Sequence, residues 1–246
     1  QYTLTKFDTP FTEYISKTSS NDTDGSILKS EISRINGGDP SLLKTISFVK
    51  NYNSDNTTGN VTNFEYMFEN CTSLISISGL NVSNASNLKG MFSECRKLTN
   101  LDLSNFDTTN VTNMSYMFGR CEKLASLDVS HFDTSKVVNM GSMFSRCPNL
   151  SSLDLSGWDM TSVKTTNSMF FRCNSLNTIR MIGCNQTTID KVKEALTDAG
   201  ILNQVTIITG DVPMTNYIKF TTSPSVASEN NVQVTYADST QDTVPY

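Results

Sequence analysis

Histidine, basic charge and long apolar runs are what this chain has least of, and each shortage removes a class of function. His131 is the one histidine in 246 residues, so no nucleophile–base relay can be assembled around a second imidazole. The cysteines never form a C-x-x-C pair and have no accompanying histidine cluster, which leaves no zinc spacing; neither a metal nor another cofactor is expected. No Gly-rich phosphate loop follows a candidate strand. Charged residues make up only 17% of the chain and the net charge is −5, so there is no basic footprint for nucleic acid and an anionic membrane would repel the molecule. No segment is apolar enough to span a bilayer, and Gln1 does not open a charged-then-apolar leader; a signal or anchor segment is therefore expected to be absent from this chain.

What the chain does have is repetition. The pattern Met-Phe-x-x-Cys occurs at Met67-Phe68/Cys71, Met91-Phe92/Cys95, Met117-Phe118/Cys121, Met143-Phe144/Cys147 and Met169-Phe170/Cys173. The interval from Cys95 to Cys121 recurs unchanged to Cys147 and to Cys173, and the one before it is only slightly shorter. A period of this size marks stacked units, none of which can bury its apolar face alone. Within a unit, Met114, Met117, Phe118, Cys121 and Leu124 follow helical spacing, and the Met stripe that includes Met140 and Met143 is read as core. Leu124, Leu127 and Val129 then follow L-x-x-L-x-L, a strand with alternating faces, repeated at Leu98-Leu101-Leu103, Leu150-Leu153-Leu155 and Leu176-Ile179-Met181. Phe106-Asp107, Phe132-Asp133 and Trp158-Asp159 close the units; Leu80-Asn81 departs from this in the first.

The stretch NVTNMSYMFGRCEKLASLDVSHFDT at 110–134, with its copies across 61–183, resembles the BspA-like family of bacterial leucine-rich-repeat surface proteins, whose repeat is shared with mycoplasma lipoproteins. The likeness covers roughly half the chain. It implies adhesion to host proteins and other cells, at the bacterial surface or after secretion, and points to no particular ligand. Periodicity and resemblance together predict an α/β repeat: a leucine-rich-repeat solenoid of about seven coils, with a parallel sheet on one face and short helices on the other.

Around the five regular units of 61–183 the pattern degrades. Residues 1–60 read as a cap plus an atypical first coil, with a short helix through Ile27 to Ile35 and a strand Leu43-Ile46-Phe48. The interval from Leu43 to Leu74 is longer than the regular one. Residues 184–210 read as a closing coil: an amphipathic helix from Thr188 to Ala199 stopped by Gly200, then Leu202-Val205-Ile207, with Leu202 one regular interval after Leu176. Residues 211–246 read as a β-rich tail or the start of a further domain.

Five cysteines share one position with Met and Phe neighbours, which favours buried free thiols over bridges between adjacent coils; Cys184, out of register, is the candidate for an exposed thiol. Asn63, Asn87, Asn113 and Asn139 precede the helical segments, where a side-chain oxygen accepts from free backbone N–H groups.

Outward strand positions give one row, Ser78, Asp102, Asp128, Asp154 and Arg180, flanked by Asn100, Ser126, Ser152 and Thr178 on one side and Ser104, Ser130 and Ser156 on the other. Carboxylates one strand apart repel by only ~0.9 kcal/mol in water, so the row is tolerable while solvated. It is either a ligand-binding polar face or simply the wet edge of the repeat. A second row, Asp107, Asp133 and Asp159, is expected to bond local turn N–H groups. Asp102 and Asp128 at one strand spacing would suit a glycosidase pair, but repetition gives them near-identical surroundings, and such a pair needs two different ones. The reading is therefore a non-enzymatic adhesion or recognition protein that takes a protein ligand through its sheet face. Its alternatives are a carbohydrate-binding module, which needs Tyr66, Tyr116 or Trp158 on the surface, and a spacer presenting a neighbouring domain.

Overall fold

The structure, a computed structural model, describes residues 61–99 and 101–210 throughout, together with Ser26, Ser30 and the backbone of the strands at either end. The first strands are β1 (Tyr2–Lys6), β2 (Phe11–Ile15), β3 (Leu43–Phe48) and β4 (Ser76–Ser78), in the sheet order β2-β1-β3-β4. β3 and β4 are parallel with Ile46 opposite Ile77, the same offset that separates Leu43 from Leu74. β1 runs antiparallel to both β2 and β3, a hairpin addition that the scattered apolar residues of this stretch did not announce. The helix expected through Ile27 to Ile35 falls largely outside the described residues.

A second sheet has four parallel strands in sequence order: β5 (Ser126–Asp128), β6 (Ser152–Asp154), β7 (Thr178–Arg180) and, after helix α1 (Gln186–Asp198), β8 (Thr206–Ile208). Leu127, Leu153, Ile179 and Ile207 lie side by side. The last step, from Ile179 to Ile207, is thus longer than the Leu176 to Leu202 interval expected; a 3-10 turn, Leu202–Gln204, takes up the difference. Among the described residues, 101–103 carry no strand. The tail forms a separate antiparallel sheet of β9 (Lys219–Thr221), β10 (Asn231–Thr235) and β11 (Gln241–Pro245), of which the last had no sequence signal.

The expected short helices are not helices. Tyr116 and Arg120 have φ of 59° and 61°, and their equivalents from Tyr66 and Asn70 to Ser168 and Arg172 have similar values, so a pair of left-handed residues recurs in unit after unit. Such a residue costs about 1–2 kcal/mol without glycine and stops an α-helix. It is held because the backbone bonds point elsewhere. Met117 N–H, Gly119 N–H and Cys121 N–H close local turns onto Met114, Tyr116 and Phe118 at 2.9–3.2 Å, while the alternate N–H groups of Met114, Tyr116, Phe118 and Arg120 donate to Asn139, Gly141, Met143 and Ser145 of the next unit at 2.7–2.9 Å. A helix would have consumed all of these donors internally. The run of turns therefore cross-links successive units as a sheet does, and bridges Asn63↔Asn87↔Asn113↔Asn139↔Thr165 continue the same ladder. The asparagines keep the predicted acceptor role with a different object: Asn113 Oδ1 takes the Ser115 N–H at 3.0 Å, a turn rather than a helix start.

The apolar face is where the periodicity put it. Met114, Met117, Phe118, Cys121 and Leu124 are all fully buried. Phe68, Phe92, Phe118, Phe144 and Phe170 stack in one column, centroids 5.6–5.9 Å apart and rings within 9° of parallel. The thiols of the ladder are free and buried at all five positions. Four of them donate backwards, for example Cys121 Sγ to the Phe92 carbonyl at 3.3 Å and Cys147 Sγ to that of Phe118 at 3.1 Å. Burial pushes the end thiols, Cys71 and Cys173, up to about 12, and raises the three between them well above the usual range. Cys184 is half-buried, not exposed, because its Sγ reaches back into the preceding unit, to the Leu155 carbonyl at 3.2 Å. At the far end α1 is capped by Asn185, whose side chain accepts from Thr188 N–H, and it lays Ile189, Val192, Ala195 and Leu196 on the core before Gly200 at φ +72°.

Candidate functional site

Parallel register turns equal positions of successive units into rows, so any surface chemistry comes in columns. On the sheet, Asp128 faces Asp154 and Asp154 faces Arg180 across adjacent strands. Asp102 and the flanking Ser126 and Ser152 belong to the same surface, while Asn100 lies outside the described residues. Each carboxylate is partly engaged already. Asp102, Asp128 and Asp154 accept through Oδ1 from the N–H of Ser104, Ser130 and Ser156 at 3.0–3.1 Å. Side-chain and backbone bonds from Ser104 and Ser130 hold Asp102 and Asp128 below the usual carboxylate range, and the same cause acts on both. Equal environments give two ionised carboxylates, not an acid and a base. Arg180 Nε sits 3.3 Å from Asp154 Oδ2, an exposed pair worth at most about 1 kcal/mol. The row thus runs from carboxylates to a cation at its end.

The second aspartate row has the local role expected of it. Asp107, Asp133 and Asp159 accept from the N–H of Thr109, Ser135 and Thr161 at 2.9–3.0 Å, and the hydroxyls of the same residues lower all three carboxyls. His131 is exposed, with Nε2 2.7 Å from the Leu103 carbonyl and its ring edge-on to Phe132.

The aromatic platforms divide three ways. Trp158 is buried and donates Nε1–H to the Val129 carbonyl at 2.8 Å, so it cannot serve a sugar. Tyr66 is half-buried, its ring lying over Gly90, where an added Cβ would meet it at 2.1 Å, and within reach of the Lys89 ammonium. Tyr116 alone of the three is open, at 47% exposure.

A concave feature lies on the face made by the turns, where the strand spacing gave no reason to look for one. Two adjoining hollows of about 420 and 370 Å³ share Arg120 and Arg146; the first also takes in Tyr116 and Phe171, the second Arg96 and Arg172. Glu94 bridges Arg96 at 2.7 Å and Arg120 at 2.9 Å. Arg146 and Arg172 instead lie against the Phe171 ring, 5.7 and 5.3 Å from its centroid, and among the described residues neither has an ion-pair partner. The signal was available. The residue immediately before each repeated cysteine reads Asn70, Glu94, Arg120, Arg146 and Arg172.

Among the described residues no group of histidine, cysteine and acidic side chains could hold a metal ion, and no helix is long and apolar enough to cross a membrane. No curated protein matches the chain. A family match does exist, over residues 40–127 and again over 99–207, so that it spans the parallel strands, the turn ladder and the closing helix alike. The chain belongs to the family described as Mycoplasma protein of unknown function, DUF285.

Proposed function

We propose that this protein is a non-enzymatic recognition and adhesion module of the bacterial surface or secreted fraction, built as a leucine-rich-repeat solenoid of the BspA-like kind with about seven coils. One observation carries the reading: register places Asp128, Asp154 and Arg180 side by side, and the repeat continues the row to Asp102. Rows of equivalent side chains suit a large partner that makes many modest contacts, and suit a small substrate poorly. Asp102 and Asp128 share one environment, which favours binding over acid–base work. The partner class is a protein of the extracellular-matrix or cell-surface type, with glycan as the alternative; burial of Trp158 leaves Tyr116 as the open platform for the latter.

The test is capture of extracellular-matrix proteins and a glycan array by the whole chain and by a variant with Asp102, Asp128 and Asp154 changed together to Asn. Loss of protein capture in the variant supports the sheet row. Equal capture by both removes the row from the account, and turnover of any glycan would replace the reading with an enzymatic one.

A further inference from the structure

The chain carries a net charge of −5 and holds only six arginines, yet Arg96, Arg120, Arg146 and Arg172 line one hollow on the face made by the turns. Chance does not gather four of six on a protein of opposite net sign; the repeat does, by placing three of them at the position before cysteine. The gathering is uneven in a useful way. Glu94 and Glu122 neutralise the end nearest Arg96 and Arg120, whereas Arg146 and Arg172 share the Phe171 ring and have no carboxylate partner among the described residues. Contact with that ring steadies both guanidinium groups without consuming their N–H donors. Free planar forks of this kind pair with carboxylate oxygens two at a time.

We infer that this groove is a docking site for an extended acidic peptide segment of a partner protein, separate from the carboxylate row of the sheet. The spacing fits. Phe rings of the same units follow one another at 5.8–5.9 Å, and same-face side chains of an extended peptide recur every ~6.6–6.8 Å, a mismatch the flexible arginine stems absorb. The chemistry disfavours nucleic acid and neutral sugar. A nucleic-acid strand or a neutral sugar needs open aromatic faces to stack on. The Phe171 ring is already taken by two guanidinium groups, which leaves Tyr116 alone. Ser93, Ser142, Ser145 and Ser168 also line the first hollow and add small polar donors, and the carboxylate of Glu69 lines it with them.

The experiment titrates the whole chain into a fluorescein-labelled decapeptide of alternating Glu and Ser and follows anisotropy. Saturable binding is expected, weaker by at least about tenfold in R146Q/R172Q, intermediate in R146K/R172K because an ammonium cannot form the fork, and unchanged in R180Q. Binding should also fall as salt rises from roughly 0.05 to 0.3 M. A charge swap guards against a merely misfolded variant: R146E/R172E should lose the Glu peptide and gain the matching Lys-Ser peptide. Equal binding by wild type and R146Q/R172Q overturns the site. Tighter binding of a sulfated hexasaccharide or a ten-nucleotide oligothymidylate, lost in the same variants, overturns the peptide assignment. The sheet-row variants leave this groove intact, so failure of one reading is distinguishable from failure of the other.

Discussion

Phe118 is the place to test whether successive units are held by the ring column. Its side chain is fully buried, and it stacks on Phe92 at 5.9 Å and on Phe144 at 5.8 Å. Changing it to Leu keeps an apolar group of similar size, which by itself costs under about 1.5 kcal/mol. Two lost ring contacts add about 0.5–1.5 kcal/mol each, for a total of roughly 1–4.5 kcal/mol. The same change at Phe170, which among the described residues stacks on Phe144 alone, should cost about 0.5–1.5 kcal/mol less. A double-mutant cycle separates stacking from burial. Phe118 and Phe144 touch, so their coupling should be about 0.5–1.5 kcal/mol; Phe92 and Phe170 neither touch nor share a stacking partner, so those two should add to within about 0.5 kcal/mol. Urea unfolding read by fluorescence of the single tryptophan, the buried Trp158, supplies every stability needed. Equal coupling for the touching and the separated pair would refute the idea that the rings bind unit to unit.

Three further outcomes follow from the same geometry. Gly90→Ala should lower stability by roughly 1–2 kcal/mol in the same assay, since it adds a Cβ at φ +59° and expels the Tyr66 ring from above it; a neutral result would mean the ring moves freely. Stability should hold from neutral pH down to about 5 and then decline as pH falls through the unfolded carboxylate value of ~3.9 towards the lower folded values of Asp107, Asp133 and Asp159, because a depressed folded value contributes stability only above it. Replacing all three with Asn should flatten that decline in an acid titration followed by circular dichroism. A thiol reagent at neutral pH should label Cys184 first and slowly and leave the five ladder cysteines unmodified, while all six react in denaturant; rapid native labelling of Cys121 would contradict its burial.

The amino-acid order by itself determined the unit length, the buried set and the parallel partnering, because all three rest on which side chains must leave water. Leu127, Leu153 and Ile179 align as their spacing required, and the five thiols are hidden as their shared position implied. Side chains that bond close to themselves along the chain were equally readable, as at Asp133 and Ser135. Tertiary structure alone decided where the backbone hydrogen bonds go. Apolar residues at helical spacing fit either a helix or a string of tight turns, and the choice depends on whether the Phe118 N–H finds an acceptor in its own unit or at Met143 of the next. That choice sets the Arg120, Arg146 and Arg172 backbones at positive φ and turns a column one residue before cysteine into the wall of a groove. The longer final step was likewise invisible, since Val205 and Ile207 are both apolar and the regular interval would have put Val205 beside Ile179, where the fold puts Ile207.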